Sequence, residues 1–209
     1  MIIAKGDSLY PGLNLLEGDP THKEAEETIF GFWVFLMSDL VLFSLLFATY
    51  VTMLHAVDGG PDSKACFDIK STAVETGILL TSSFTFGMAS LAIKHSHKLW
   101  ALLGWLAVTF LLGLSFLYFE WQDFLSMFSK GAPPTRSGFA SSYFALVGTH
   151  GVHVTFGCLW ILVMMAQVIV FGADDRLCKT RLLRLGLFWH FLDLIWICIF
   201  SVVYLQGLA

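Results

Sequence analysis

The sequence predicts an all-α polytopic membrane protein, a bundle of five transmembrane helices. Three observations carry this. Of 209 residues, 56% are hydrophobic and only 13% charged, about half the charged share of an ordinary soluble domain, and the mean hydropathy is +0.74. Five stretches reach the roughly 20 mostly apolar residues that a helix needs to span a bilayer. None of them alternates with period two, which excludes a transmembrane β-barrel. The same composition excludes a disordered chain, and a formal net charge of −4 gives no electrostatic basis for a nucleic-acid partner.

Taken in order, residues 1–28 read as a polar cytoplasmic arm with Pro11, Pro20 and the acidic run Glu24, Glu26 and Glu27. They lack the basic start and apolar core of a signal peptide. The transmembrane domain, 29–209, then holds spans near 29–55, 72–93, 99–119, 139–171 and 182–208. Polar or helix-breaking clusters separate them: Asp58-Gly59-Gly60-Pro61, Lys94-His95-Ser96-His97-Lys98, Gly131-Ala132-Pro133-Pro134 and Gly172-Ala173-Asp174-Asp175. The fourth span, about 50 Å long as one helix, must tilt or let its ends leave the bilayer.

Orientation follows from Lys and Arg, which favour the cytoplasmic side. Lys5, Lys23, Lys94, Lys98, Arg176, Lys179, Arg181 and Arg184 fall on the side of the N-terminus. Only Lys64, Lys70, Lys130 and Arg136 fall on the other. The N-terminus is therefore expected in the cytoplasm and the C-terminus outside. Four cysteines form no disulfide framework. Cys66 falls in an outer loop and Cys178 in an inner one, so the two cannot pair. Cys158 and Cys198 sit inside helices, and no disulfide is expected.

Ionisable residues inside a span are costly and need partners, so each is a candidate functional group. Asp39 lies ten residues into the first span; it is either a protonatable relay or regulatory group, or a buried carboxyl hydrogen-bonded to Ser38 or a neighbouring helix. Glu75 stands near the start of the second span, where a carboxylate suits the helix dipole. Glu120 and Asp123 close the third span and share a face at spacing three. They are conceivable as a metal pair but have no third ligand in view. His150 and His153 share a face in the same way. Zinc would need further ligands, and haem a facing His such as His190 at matching depth. Interhelical hydrogen bonding fits them better. His190 and Asp193, one turn apart, are expected to pair and to point into the bundle. The chain holds no phosphate-binding loop, dinucleotide turn, Cys-x-x-Cys or catalytic triad. No residue is assigned as catalytic, cofactor-binding or metal-binding.

Several separated segments, in order, resemble subunit III of the haem–copper oxidases. They are Ile29-Phe30-Gly31-Phe32-Trp33 with Leu36-Met37-Ser38-Asp39, Gly148-Thr149-His150-Gly151-Val152-His153, and Trp189-His190-Phe191-Leu192-Asp193 with Tyr204 beyond. Glu120 with Asp123 resembles the family's paired acids. The chain starts its helices directly at Phe30-Gly31-Phe32-Trp33, which is similar to the five-helix form of the bo-type ubiquinol oxidases. One position departs: many cytochrome c oxidase members carry Glu where this chain has Asp39. The resemblance implies a non-catalytic, multi-pass subunit of the bacterial inner membrane, with its C-terminus in the periplasm. It implies no cofactor in this chain, with haem and copper in subunit I. The implied partners are subunits I, II and IV and bound phospholipid, in a complex that oxidises ubiquinol, reduces oxygen to water and moves protons. Two readings from other classes compete. One is a proton-coupled transporter with Asp39, His150, His153 and Asp193 as relay; the other is a membrane b-type cytochrome.

Overall fold

The computed structural model describes residues 20–57, 69–95, 99–171 and 176–205. Five helices make up this part of the chain. They are α1 (Pro20–Met53), α2 (Ile69–His95), α3 (Leu99–Ser129), α4 (Gly138–Phe171) and α5 (Arg176–Ile199), the last continuing as a π-helical stretch, Phe200–Leu205. Helices α2 to α5 form a four-helix bundle in which each packs on its chain neighbour and α5 returns to α2. Helix α1 lies in the groove between α4 and α5. It contributes a narrow seam to the core, Leu36, Phe43 and Tyr50, each seven residues from the next. Phe32, Met37, Leu46 and Phe47 pack partly against that core, and Phe30, Trp33, Val41 and Leu45 face outward.

Four helical segments are long and apolar enough to cross a membrane: Glu27–Met53, Leu99–Ser129, Gly138–Val170 and Cys178–Leu205. Among the described residues the protein is an all-helical membrane protein. Helix α2 has the length, 27 residues, but is diluted by Ser71, Thr72, Glu75, Thr76, Thr81, Ser82, Ser83, Thr85 and Ser90. Most of these hydroxyls bond back to a carbonyl one turn earlier, as Thr76 does to Thr72 and Ser82 to Leu79.

Several helix boundaries differ from the spans read in the sequence, two of them by nine residues or more. Helix α1 begins at Pro20 rather than at 29; proline suits a first helical position because its missing N–H has no partner to lose there. Helix α3 continues past 119 to Ser129. Its stop is Gly131, at φ +76°. The Ala132 N–H donates to Met127 O and the Gly131 N–H to Phe128 O, both at 3.1 Å. Both bonds cap carbonyls that the helix itself leaves open, and the left-handed residue between them favours glycine. The next helix starts from Ser137, whose Oγ accepts the Ala140 N–H at 3.1 Å, an N-cap. Cys158 and Cys178 are buried and Cys198 is exposed; Cys66, and the pairing considered for it, lies outside the described residues, as do residues 1–19 of the arm.

Candidate functional site

The centre of the bundle is built on two tryptophans of α5. Trp189 and Trp196 stand two helical turns apart and both point inward. The Trp189 indole donates to Ser82 Oγ and the Trp196 indole to Thr76 Oγ1, each at 3.1 Å. Trp189 fits because two helices leave out a side chain beside it. A Cβ on Gly113 of α3 would stand 2.9 Å from the indole, and a Cβ on Gly157 of α4 also 2.9 Å. Helix α2 is polar on the side that receives α5, so part of its Ser/Thr content is turned toward protein.

Beside Trp196 lies His150, fully buried, stacked on the indole at 5.2 Å and met edge-on by Phe116 at 5.8 Å. Neither ring nitrogen has a hydrogen-bond partner among the described residues. His190 faces the other way, with its ring half exposed. The two imidazoles do not face each other, and the rings around His150 leave no room for a macrocycle, so this pair does not fit a haem.

The expected pairing of His190 with Asp193 changes in its details. Asp193 is buried, but its carboxylate stands 3.9 Å from His190 Nδ1, beyond hydrogen-bond reach. The same nitrogen meets Ser83 Oγ of α2 at 2.6 Å. The pair shares a face of α5, as spacing three requires, yet only the aspartate enters the bundle.

Glu120 and Asp123 lie inside α3, not at its end. Glu120 is buried with its carboxyl against Gly151 of α4, where a Cβ would come within 2.6 Å of both oxygens. A third acid, read from the sequence as a separate helix-start carboxylate, joins them: Glu75. Helix α2 begins at Ile69, so Glu75 sits in its second turn, fully buried, rather than solvated at a helix start. It is close enough to Glu120 and Asp123 to interact with both electrostatically. Ser71 donates to Asp123 at 3.4 Å, and the Tyr143 and Tyr204 hydroxyls meet nearby at 3.0 Å. Among the described residues, no three His, Cys, Asp or Glu side chains are arranged to hold a metal ion.

Asp39 and His153 join α1 to α4. His153 Nδ1 meets the Thr149 carbonyl at 2.7 Å; a carbonyl only accepts, so this nitrogen carries a proton. Nε2 then stands 3.1 Å from Asp39 Oδ2. The contact is either imidazolium with carboxylate or neutral imidazole with carboxylic acid. Both carry zero net charge, which is what a pair 12% and 21% exposed in an apolar helix contact requires. Along the same flank runs a groove of about 490 Å³, lined by Phe35, His153, Phe156, Trp160, Val163 and Phe188 among others. The four groups of a conceivable proton relay fall into separate places: Asp39 with His153, His150 boxed by aromatic rings, and Asp193 behind His190.

The chain matches the family described as cytochrome c oxidase subunit III over residues 14–208. The chain belongs to that family. It is 48% identical over 189 residues, 90% of each chain, to a protein named cytochrome bo(3) ubiquinol oxidase subunit 3 from Pseudomonas aeruginosa. A Buchnera aphidicola protein of the same name is 43% identical over 181 residues, 87% of this chain and 92% of its own. A protein named probable quinol oxidase subunit 3 from Staphylococcus aureus is 37% identical over 190 residues, 90% of this chain and 93% of its own. Within this subunit III chain, Trp189, Trp196, His190 and Tyr143 reach polar partners on other helices, whereas His150, Glu75 and Asp193 carry buried polar atoms with no hydrogen-bond partner among the described residues. Ser82, Thr76 and Ser83 on α2, and the Tyr143–Tyr204 pair, were not read from the sequence. The one available signal was the cluster of hydroxyls on an otherwise apolar helix.

Proposed function

We propose that this chain is the non-catalytic subunit III of a proton-pumping terminal ubiquinol oxidase. The identity of 48% over 90% of the chain with a protein of that name carries the reading. In it, quinol oxidation and oxygen reduction take place in subunit I, which holds haem and copper, and subunits II and IV complete the complex. This chain flanks subunit I, supports its assembly and sustains its turnover.

All five helices span the inner membrane in this reading. The case for α2 rests on its length and on Thr76, Ser82 and Ser83, which serve Trp196, Trp189 and His190 and so do not face hydrocarbon. The N-terminus is cytoplasmic and the C-terminus periplasmic, from the uneven distribution of Lys and Arg. The apolar groove on the α1–α4–α5 flank suits an acyl chain of a bound phospholipid.

Purification of the tagged chain in gentle detergent tests the reading. Oxidase subunits should co-purify, with haem in the complex and none in the isolated chain. Recovery with an unrelated assembly would overturn it, and a Soret band from the isolated chain would favour the cytochrome reading. An impermeant thiol reagent on intact cells should label a cysteine placed within residues 61–70 and spare one placed within residues 173–181. The opposite pattern reverses the orientation.

A further inference from the structure

Helix α5 turns one stripe away from the bundle. Leu183, Leu187, His190, Leu194, Ile197 and Ser201 are all exposed and follow one another in steps of four and three, the spacing of a helix–helix seam. A lipid-facing helix also shows such a stripe, but acyl chains do not account for the imidazole at its centre. By helical rise His190 lies about 21 Å from Arg176 and about 22 Å from Leu205, midway along the helix. From that depth the short side chain cannot reach a headgroup.

The ring is 51% exposed. Nδ1 is held by Ser83 Oγ at 2.6 Å, with the Asp193 carboxylate behind it. The remaining contact is the edge of Phe86, so Nε2 has no hydrogen-bond partner among the described residues. Hydrocarbon offers none, and ionisable groups at such depth normally face protein or a water-filled cavity. Beside the stripe, one turn along α2 from Ser83, Gly87 has open space where a Cβ would stand, and missing side chains let a neighbouring helix approach closely. The outer face of α3, with Val108, Leu111 and Leu114, presents no such group and suits lipid.

We infer that the His190 face of α5 docks a transmembrane helix of a partner subunit, which presents a hydrogen-bonding side chain to His190 Nε2. This rests on the reading of the chain as a subunit of a membrane complex. A single polar position between apolar neighbours sets the register of such a seam and narrows the choice of partner. Ser83 acts behind it as a positioning residue, holding Nδ1 so that Nε2 is left for the partner.

The test uses the whole complex in native membranes. A photo-crosslinking p-benzoylphenylalanine at Leu187, and separately at Leu194, should give an adduct between this chain and another protein subunit. Adducts with lipid alone, in complexes that still contain the chain, overturn the docking face while leaving the proposed function in place. A chain that co-purifies with no other subunit overturns the proposed function instead. His190→Leu should weaken retention of the chain through detergent washing by about three- to thirtyfold, the range of one interhelical hydrogen bond in a membrane. His190→Gln, which keeps a donor and an acceptor, should recover most of it. Equal retention of His190→Leu and the parent refutes the hydrogen bond to the partner.

Discussion

Gly113→Ala is the sharpest single perturbation of the bundle. The new Cβ would stand 2.8 Å from Cys158 Sγ and 2.9 Å from Trp189 Cη2, where carbon atoms normally keep about 3.5–4.0 Å. Trp189 cannot retreat. Its Nε1 is tied to Ser82 on α2, and its opposite edge already fills the space left by Gly157 on α4. Overpacking a filled core costs about 1–3 kcal/mol, and with no free direction the upper half of that range applies. Better helix propensity returns up to about 1 kcal/mol, leaving a net loss of about 1–2 kcal/mol. Thermal unfolding of the purified protein in detergent, followed by size exclusion, measures it. Trp189→Phe removes the crowded edge of the indole and leaves only the Cys158 Sγ contact, so Gly113→Ala should cost clearly less in that background. A Gly113→Ala protein as stable as the parent, or a loss that persists unchanged beside Trp189→Phe, would refute the packing account.

Three further outcomes follow from the geometry. Asp39→Ala should destabilise the fold by about 1–3 kcal/mol, because His153 Nε2 loses its partner while Nδ1 stays on Thr149; Asp39→Ala with His153→Phe should lose less, read as the yield of folded protein in detergent. Gly131→Ala forces a left-handed alanine at the end of α3 and should cost about 1–2 kcal/mol in thermal stability, with Gly131→Asn costing less. Asp193→Ala should lower the amount of intact complex, yet leave initial quinol oxidation per haem unchanged in what remains; full assembly with no initial activity would contradict an accessory role.

The apolar stretches were legible because hydropathy reports what a helix as a whole faces. Individual polar residues were harder to place. Glu120 and Asp123 were read as closing the third span, although α3 runs on past them and sets Glu120 against Gly151. The true stop, Gly131 followed by Pro133 and Pro134, was visible among the breaker clusters. Spacing three put His190 and Asp193 on one face, and they share it. Which helix covers that face depends on Ser83, 107 residues away, and no local pattern reports such a contact. Helix α2 shows the same limit. Its hydroxyls lower its apolar content, and only the packed bundle reveals that several of them meet α5.

The bonds between α2 and α5 also bear on the order in which the chain is made. The hydroxyls of Thr76 and Ser82 donate to carbonyls of their own helix and accept from the indoles of Trp196 and Trp189. As donors they are satisfied before α5 exists; the indole N–H groups are not. Synthesis from the N-terminus brings α2 out first, so α5 leaves the ribosome when its acceptors are already in place. The waiting helix does not need the late one to satisfy these donors, and the late helix finds its partners as it inserts. A circular permutant that delivers α5 before α2 reverses this sequence. Two tryptophans, a histidine and an aspartate then enter the bilayer ahead of the helix that receives them, so more of that chain should be degraded than of the natural order.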